Sequence, residues 1–474
     1  MEQISALELP LDLEWLNADP QSLSIHSGRV IVLLFWNASS VYSHNALLDL
    51  LHLQHKYPES LSALAIHIPK FKAELDNKIV SDVISRLDVQ LPVANDKSFS
   101  TWQSYGIESW PTFVIIDHNG FLVDKISGDM QFKLLESTIS GLAKEVSSDL
   151  KNKTKTMQVH PKTKFFGVLN NPCGLLFNNG LLYIADTGNN RILECTVDGH
   201  IKRVFGNGLA LNMDGIASEA AFNRPVGLCL ARDHLYVADT GNHAIRRVRL
   251  LDGVVDTLLG DGKAGTPNEQ IVSVFHEVQL NNPTAVSVID DILILADSGN
   301  NSLWMFSLIS RKFSLLAGSS KLGLVDGIGS KAELAHPLAI SGSKNYLYLI
   351  EGSSSSIRTV AVPEGRVNTL VGHGLFKSGS SDGMKLNASL QHPSSLAVDE
   401  NRGLVWIADS YNRKIRILNI TNNALSNSTM PSHFVNPSAL SLGDDSLWIA
   451  DSGANYIYRY YIATDYIARI TILP

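Results

Sequence analysis

Hydrophobic and polar residues follow two different patterns along the chain, and the change falls near residue 150. The first part alternates continuous apolar runs, such as Arg29–Trp36 and Phe113–Asp117, with segments of helical spacing, such as Leu47–Tyr57. Continuous apolar runs are typical of strands buried on both faces, and apolar residues three or four apart indicate a helix that packs on a sheet. This part is therefore predicted to form an α/β domain around a mixed sheet.

The second part repeats one pattern six times between Asn171 and the end of the chain. Each repeat runs from a proline through a short apolar run and a turn to a second apolar run that ends in an acid, most often as Ala-Asp. The acid follows the proline by 14 residues, or by 16 in the fifth repeat. The prolines are Pro172, Pro225, Pro283, Pro337, Pro393 and Pro437, and the acids are Asp186, Asp239, Asp297, Glu351, Asp409 and Asp451.

Each repeat has room for four short strands, because an alternating run and a final run ending in glycine follow the acid. Four-stranded units of roughly 40 to 58 residues are typical of propeller blades. We predict six blades, since closing the ring removes the open sheet edges that a stack would leave. The loop Gly260–Leu280 departs from the other loops between blades, three of which carry an Asp-Gly pair that suits a tight structural turn. The pairs begin at Asp214, Asp326 and Asp382.

Charge and cysteine content narrow the classes of partner. The 39 Lys and Arg against 46 Asp and Glu give a net charge of −7, so we expect no nucleic-acid partner and no membrane partner. The sequence begins without an apolar run of signal-peptide length, which predicts a cytosolic protein. An odd count of three cysteines without a C-x-x-C motif argues against a disulfide framework and a structural zinc site, and predicts buried, unreactive thiols.

Two motifs carry resemblances to known families. The repeat core, apolar-Ala-Asp-[Thr/Ser]-Gly-Asn after a proline, resembles the NHL repeat. The strand that runs into a helix start at Phe35–Asn45, followed by Trp110-Pro111-Thr112, resembles a thioredoxin-like domain, in which a cis-proline usually lies beside the active site. The combination resembles the NHL repeat-containing protein 2 family. It implies a multidomain chain, with an N-terminal α/β thioredoxin-like domain (1–146), a linker (147–163) and an all-β six-bladed NHL β-propeller (164–474).

The resemblance also predicts that redox chemistry is absent. Three cysteines of the family pattern fall on Ser39, Ser40 and Ser43, and a buried aspartate of that pattern falls on Leu34. A serine hydroxyl cannot form or exchange a disulfide. These serines could instead be read as nucleophiles with His44 as the base, but we favour capping of the helix that follows.

The thioredoxin-like fold docks extended chains beside its cis-proline, so a peptide groove is a further candidate site. The resemblance implies that Trp36, Trp110, Pro111 and Thr112 line this groove. In the propeller, the six repeated acids could suggest a ring of calcium ligands. We predict instead that each acid stabilises a turn by accepting backbone N–H bonds, because one acid occurs in every blade.

A metal site in the propeller channel is the remaining chemical candidate. An NHL-like peptide-amidating lyase uses channel histidines for zinc, and His336 and His392 precede the prolines of adjacent repeats in this chain. No third ligand is evident, so we predict no metal and no other cofactor.

Taken together, these patterns predict a monomeric, non-enzymatic scaffold whose propeller binds protein or peptide partners through its loop-bearing face. One alternative is a metal-dependent hydrolase or lyase in the propeller channel that uses His336 and His392. A second alternative is a component of a redox pathway that binds clients without exchanging disulfides.

Overall fold

The computed structural model describes residues 4–128, 131–146, 159, 167–271, 277–343, 346–430 and 433–474. The chain divides into two compact units, Met1–Lys164 and Phe165–Pro474, and each unit has hydrophobic clusters of its own. The predicted linker 147–163 lies outside the described residues except for Val159.

The first unit is built on a six-stranded mixed sheet with the strand order β1-β4-β3-β2-β5-β6. The three strands β2, β3 and β4 are parallel, and the other pairings are antiparallel. The strands are β1 (Glu14–Trp15), β2 (Val30–Trp36), β3 (Leu61–His67), β4 (Val93–Asn95), β5 (Thr112–Ile116) and β6 (Leu122–Ser127). The helices are α1 (Val41–Lys56), α2 (Asn77–Arg86), α3 (Ser100–Ser104) and α4 (Phe132–Ala143).

Both faces of this sheet are buried, which explains why its central strands are continuous apolar runs. Alternate residues of β2, such as Val32 and Leu34, pack in the cluster that holds α1, α2 and α4. The intervening residues, such as Leu33, pack in a second cluster on the opposite face. The predicted α/β domain with a mixed sheet is confirmed. Within the described part of the chain, no helix is both long enough and apolar enough to cross a membrane.

The second unit is a six-bladed propeller, as predicted. Each blade contains four antiparallel strands from one continuous segment of the chain. Blade 1 holds β7 (Pro172–Asn178), β8 (Leu181–Asp186), β9 (Arg191–Thr196) and β10 (Ile201–Phe205), and blade 2 holds β11 (Pro225–Ala231), β12 (His234–Asp239), β13 (Ala244–Arg249) and β14 (Val255–Leu259). Blade 3 holds β16 (Pro283–Ile289), β17 (Ile292–Asp297), β18 (Ser302–Ser307) and β19 (Lys312–Ala317), which follow a short strand β15 (Gln270–Ile271).

Blades 4 and 5 are also preceded by short strands, β20 (Gly327–Ile328) and β25 (Gly383–Met384). Blade 4 holds β21 (Pro337–Ser343), β22 (Tyr346–Glu351), β23 (Ser356–Ala361) and β24 (Arg366–Val371). Blade 5 holds β26 (Ser395–Asp399), β27 (Leu404–Asp409), β28 (Lys414–Asn419) and β29 (Ala424–Asn427). Blade 6 holds β30 (Pro437–Leu442), β31 (Ser446–Asp451), β32 (Tyr456–Tyr461) and β33 (Tyr466–Ile470).

The spacing of the repeat proline and acid has a simple geometric cause. The two residues face each other at the open end of the first hairpin of the blade, as Pro225 faces Asp239. The first strand of every blade contacts the first strands of both neighbours, so these six strands surround the central channel. A short 3-10 turn follows most of the acids, and it lies at the same end of the strands as the loops between blades. We call this end the linker face.

The ring closes by side-chain and backbone contacts between blades 6 and 1. The hydroxyl of Ser438 donates to the Pro172 carbonyl over 2.8 Å, and the rings of Phe177 and Trp448 stack with centroids 5.9 Å apart. Near the end of the chain, the Leu473 N–H group donates to Gly199 O, and its carbonyl accepts from Ile201 N–H. These bonds join the end of the chain to the turn before β10 and to the first residue of that strand.

Candidate functional site

The three serines that the resemblance aligns with family cysteines lie at and just before the start of α1. They are buried and hydrogen-bond the loop that follows β2. The Ser40 hydroxyl accepts from the Ser43 N–H group over 3.3 Å, as a helix N-cap does. The Ser43 hydroxyl accepts from Asn37 N–H over 3.1 Å, and the Ser39 hydroxyl donates to Asn37 Oδ1 over 2.7 Å. The three hydroxyl groups therefore hold the backbone at this turn.

The structure does not pair these serines with a histidine. His44 Nε2 lies 2.7 Å from the carbonyl oxygen of Ala38, which can only accept, so this nitrogen carries the proton. This nitrogen therefore cannot take a proton from serine, and the hydrogen bonds of the three serine hydroxyls go to Asn37 and to the Ser43 N–H group, not to the His44 ring. The arrangement supports the capping interpretation over a serine nucleophile with His44 as its base.

Three of the four residues predicted to line a peptide groove are buried in the structure. Trp36 is fully buried, with its ring edge-to-face against His67, so its predicted position in an exposed groove is wrong. It points into the same cluster as Leu34, because alternate residues of a strand share one face. Trp110 is half-buried and precedes Pro111 through a cis bond, with its ring 5.6 Å from that of Trp102.

Thr112, the fourth predicted groove residue, is buried, and its hydroxyl group bonds residues of the same unit. Its hydroxyl donates to Ser109 O over 2.7 Å and lies 2.8 Å from the Ser127 hydroxyl. Pro111 is also buried. Of the four predicted residues, Trp110 therefore has the greatest access to solvent.

A buried carboxylate beside this turn escapes the sequence analysis. Glu74 is fully buried, and one of its oxygens, Oε2, accepts from Asn37 Nδ2 over 2.8 Å. The same oxygen accepts the N–H groups of Lys70 and Phe71 over 2.5 and 3.0 Å. Asn37 also donates to Ile68 O, so it ties the loop after β2 to the loop after β3. Both loops leave parallel strands at one edge of the sheet.

Replacing Asn37 with alanine tests this connection. We expect the free energy of unfolding of the first unit to fall by about 2 kcal/mol, because Glu74 loses a hydrogen-bond donor while it stays buried. Urea denaturation of the full chain measures the effect. Asn119, an exposed turn residue, supplies the control. An equal effect of Asn119→Ala would contradict the assigned role of Asn37.

In the propeller, every repeat acid is fully buried and accepts a backbone N–H group from just before the repeat proline. This bond joins the end of the second strand to the entry of the first, as predicted for a turn-stabilising group. The donors are the N–H groups of Asn170 to Asp186, Asn223 to Asp239, Asn281 to Asp297, Ala335 to Glu351, Gln391 to Asp409 and Val435 to Asp451, over 2.7–3.1 Å.

Three arginines that the sequence analysis missed complete this pattern in blades 2, 4 and 5. Each lies seven residues after the acid, is fully buried, and bridges the acid to the aspartate of the preceding Asp-Gly pair. In blade 2, Arg246 lies 3.0 Å from Asp239 and 2.7 Å from Asp214. The equivalents are Arg358 with Glu351 and Asp326, and Arg416 with Asp409 and Asp382. The signal was present in the sequence, because only these three blades follow an Asp-Gly pair that begins 11 residues before the repeat proline.

The two histidines proposed as weak metal candidates form contacts with the serine-rich turn of blade 4. His336 is buried, and its Nδ1 lies 2.7 Å from the Ser353 hydroxyl. The N–H group of His392 donates to the Ser355 hydroxyl over 3.0 Å. Among the described residues, no three His, Cys, Asp or Glu side chains are grouped as metal ligands would be. This geometry does not favour the metal-dependent alternative.

The linker face exposes an apolar loop between blades 1 and 2. Leu209 and Leu211 are 57% and 49% exposed. The loop is nevertheless held in place, because Asn242 Nδ2 donates to Leu211 O and Arg246 Nη2 donates to the carbonyl of the residue before Asp214, each over 2.9 Å. A fixed loop that presents several large apolar side chains is typical of a protein-binding surface.

Comparison with known proteins agrees with both halves of this architecture. A family model described as NHL repeat matches residues 222–247, within blade 2. Human NHL repeat-containing protein 2 is 30% identical over 532 aligned positions, which cover all of this chain and 72% of the human protein. The chain belongs to the NHL repeat-containing protein 2 family. Its members in cattle and chicken match over 95% and 98% of the chain, at 30% and 28% identity.

Two more distant relatives extend the comparison. Protein SUPPRESSOR OF QUENCHING 1, chloroplastic, from Arabidopsis thaliana is 29% identical over 87% of this chain and 41% of its own length. Thiol-disulfide oxidoreductase YkuV from Bacillus subtilis (strain 168) is 22% identical over 29% of this chain and 93% of its own length. The name of the plant relative places that protein in the chloroplast, and the cytosolic location of this family member stays a prediction.

Proposed function

We propose that this member of the family is a non-enzymatic interaction protein, in which a redox-inactive thioredoxin-like unit accompanies a propeller that binds protein or peptide partners. The start of α1 carries the proposal. Buried serines hydrogen-bond the loop at the position where the resemblance to the family implies cysteines. All three cysteines of the chain belong to the second unit, so the first unit has no group that can form a disulfide.

Two of the three cysteines, Cys195 and Cys229, also have thiols of low reactivity. Cys195 is buried, and burial raises the pKa of its thiol to about 12. Burial raises the pKa of the Cys229 thiol as well. A thiol is a poor nucleophile until it ionises, so at neutral pH neither group supplies the thiolate that exchange requires.

For the propeller, the apolar loop at Leu209 and Leu211 supports a docking surface on the linker face. For the first unit, Trp110 beside cis-Pro111 supports a smaller contact with an extended chain. The two surfaces belong to different units, and each can be changed without altering the other.

Affinity capture of the tagged full chain from native lysate tests the proposal, with partners quantified by mass spectrometry. We expect one partner in near-stoichiometric amount, reduced at least tenfold by the double change Leu209→Asp and Leu211→Asp. Leu251→Asp is the matched control, since Leu251 is exposed at the opposite end of the blade 2 strands. Trp110→Ala reports separately on the thioredoxin-like unit.

A second measurement addresses the absence of redox activity. The purified chain is expected to give no turnover in a disulfide-reduction assay with insulin and dithiothreitol. Measurable turnover that is lost when cysteines 173, 195 and 229 are replaced by alanine would overturn the non-enzymatic proposal, as would capture of no partner by the unmodified chain.

A further inference from the structure

The outermost strands of blades 2 to 5 are covered by the segment that precedes each blade. Gly215 exchanges both backbone hydrogen bonds with Val255 of β14, over 3.0 and 2.8 Å. The short strands β15, β20 and β25 pair in the same antiparallel direction with β19, β24 and β29. Each covering segment therefore adds a strand to the outer edge of its blade.

These four covering segments share a chemical pattern. An acid comes directly before the pairing residue, and its carboxylate accepts a hydrogen bond from the outer strand. The contacts join Asp214 Oδ2 to Thr257 N, Glu269 Oε1 to Leu315 N, Asp326 Oδ2 to Thr369 N and Asp382 Oδ2 to Asn427 Nδ2, over 3.0–3.4 Å. The two residues after each acid are Gly-Ile, Gln-Ile, Gly-Ile and Gly-Met.

Blade 6 lacks such a cover among the described residues. Its outer strand β33 has no backbone partner on the side away from β32, and Tyr466 at its start is 60% exposed. An open edge presents unpaired N–H and C=O groups that another extended chain can join. Among the described residues, the outer strand of blade 1 is also without a covering strand, since only its first residue, Ile201, bonds Leu473.

The strand register identifies the residue of β33 that would contact the acid of a covering segment. Arg469 lies opposite Tyr458, and Tyr458 follows the repeat acid Asp451 by seven residues. In the covered blades, the residue at this position contacts the covering acid, as Thr257 does opposite Arg246. The Arg469 guanidinium stacks 4.5 Å from the centroid of the Tyr456 ring, and no carboxylate of the described residues forms an ion pair with it. Blade 6 thus carries a positive charge where blades 2 to 5 receive a negative one.

We propose that β33 is a docking edge for an extended acidic segment of a partner protein, which adds antiparallel to β33 as the covers do in blades 2 to 5. The register of those covers places the acid of the segment opposite Ala468, where its carboxylate reaches Arg469. A small residue or glutamine then lies opposite Ile467, and isoleucine or methionine lies opposite Tyr466. Main-chain bonds supply affinity in this mode of recognition, and the Arg469 contact supplies specificity.

A second copy of this chain fits the edge less well. Residues 466–470 contain no acid, so pairing of β33 with the same strand of another copy leaves Arg469 without a carboxylate. The proposal also differs from the docking surface at Leu209, which lies on another blade and presents apolar side chains. Neither proposal depends on the other.

A peptide taken from this chain is a suitable probe. A fluorescently labelled peptide of residues 322–331, which contains Val-Asp-Gly-Ile from the cover of blade 4, is titrated against the full chain and followed by anisotropy. We expect saturable binding that Arg469→Glu weakens at least tenfold. Replacing the aspartate of the peptide with asparagine is expected to have a similar effect. Arg366→Glu is the matched control, because Arg366 is exposed on the covered outer strand of blade 4.

Circular dichroism and thermal midpoints establish that the variants fold, and Arg469→Gln replaces Arg469→Glu should the latter fail to fold. A photo-crosslinking group on the peptide is expected to label residues 466–471. Absence of saturable binding, equal binding by the Arg469 variants, or labelling of β24 instead of β33 would overturn the proposal. A dimer that Arg469→Glu abolishes, without peptide binding, would assign the edge to a second copy and overturn it as well.

Discussion

Replacing Arg246 with alanine is expected to lower the free energy of unfolding of the propeller by about 3–5 kcal/mol. The guanidinium is fully buried between two carboxylates, and it also donates to the carbonyl of Ala221 over 2.8 Å. Its removal leaves Asp239 buried without a cationic partner, and the desolvation penalty of that carboxylate is no longer offset. The Asp-Gly loop that holds Asp214 also loses its anchor.

Arg249→Ala is the matched control on the same strand. Arg249 pairs with Asp252 over 2.6 Å, but both side chains are nearly half exposed, so solvent screens the pair and its loss is expected to leave stability almost unchanged. Urea denaturation of the full chain, followed through the propeller transition, compares the two variants. If Arg246→Ala lowers the free energy of unfolding no more than Arg249→Ala does, the buried bridge does not have the stabilising role assigned to it.

The second large effect is a pH dependence that originates in blade 3. Trp304 stands where blades 2, 4 and 5 have the buried arginine, so Asp297 is not paired with such an arginine. Burial raises the pKa of Asp297 to about 7, and the hydrogen bonds from Asn300 and Asn281 offset only part of this rise. The unfolded carboxyl ionises near its ordinary pKa of 3.8.

The direction of the effect follows from these two pKa values. Below about pH 4 both states hold the proton, and Asp297 imposes no penalty on folding. Between about pH 4 and 7 the unfolded state ionises first, so stability falls by up to about 4 kcal/mol and stays low at higher pH. Asp297→Asn cannot ionise, and its stability relative to the unmodified chain is expected to rise through this window.

Urea denaturation at several pH values between 4 and 8 measures this difference. Asp252→Asn is the control, because Asp252 is exposed. The pKa of Asp252 is lowered to about 2, and its hydrogen bond with Arg249 is the main cause. The Asp252→Asn replacement is expected to leave the pH dependence of the free energy of unfolding unchanged between pH 4 and 7. A constant difference between Asp297→Asn and the unmodified chain across this range would contradict the raised pKa.

Much of the architecture was predictable because it depends on the spacing of residues that are close together in the sequence. The 14-residue interval between Pro225 and Asp239 spans one hairpin, and five intervals of 14 residues with one of 16 predict six blades. The candidate sites were predicted less well. The position of Trp36 in an exposed groove was wrong, because the resemblance indicated its place in the chain but not which face of β2 it occupies.

The contacts that sequence analysis missed join residues that are distant along the chain. Asn37 meets Glu74 across 37 residues, and Arg246 meets Asp214 across 32 residues. Each partner is an ordinary polar residue in its own segment, and neither segment alone indicates burial. The association of an Asp-Gly loop with an arginine in the following blade was visible, but its meaning required the fold.

The sequence by itself determined the two kinds of domain, the number of blades, and the absence of thiols from the first unit, because periodicity, turn residues and composition are local properties of the chain. Only the tertiary structure decided which polar groups are buried together, which tryptophan reaches the surface, and which blade edge stays open. Burial and strand pairing depend on neighbours from distant segments, so the charge of Arg469 and the protonation of Asp297 acquire their significance only after the blades have assembled.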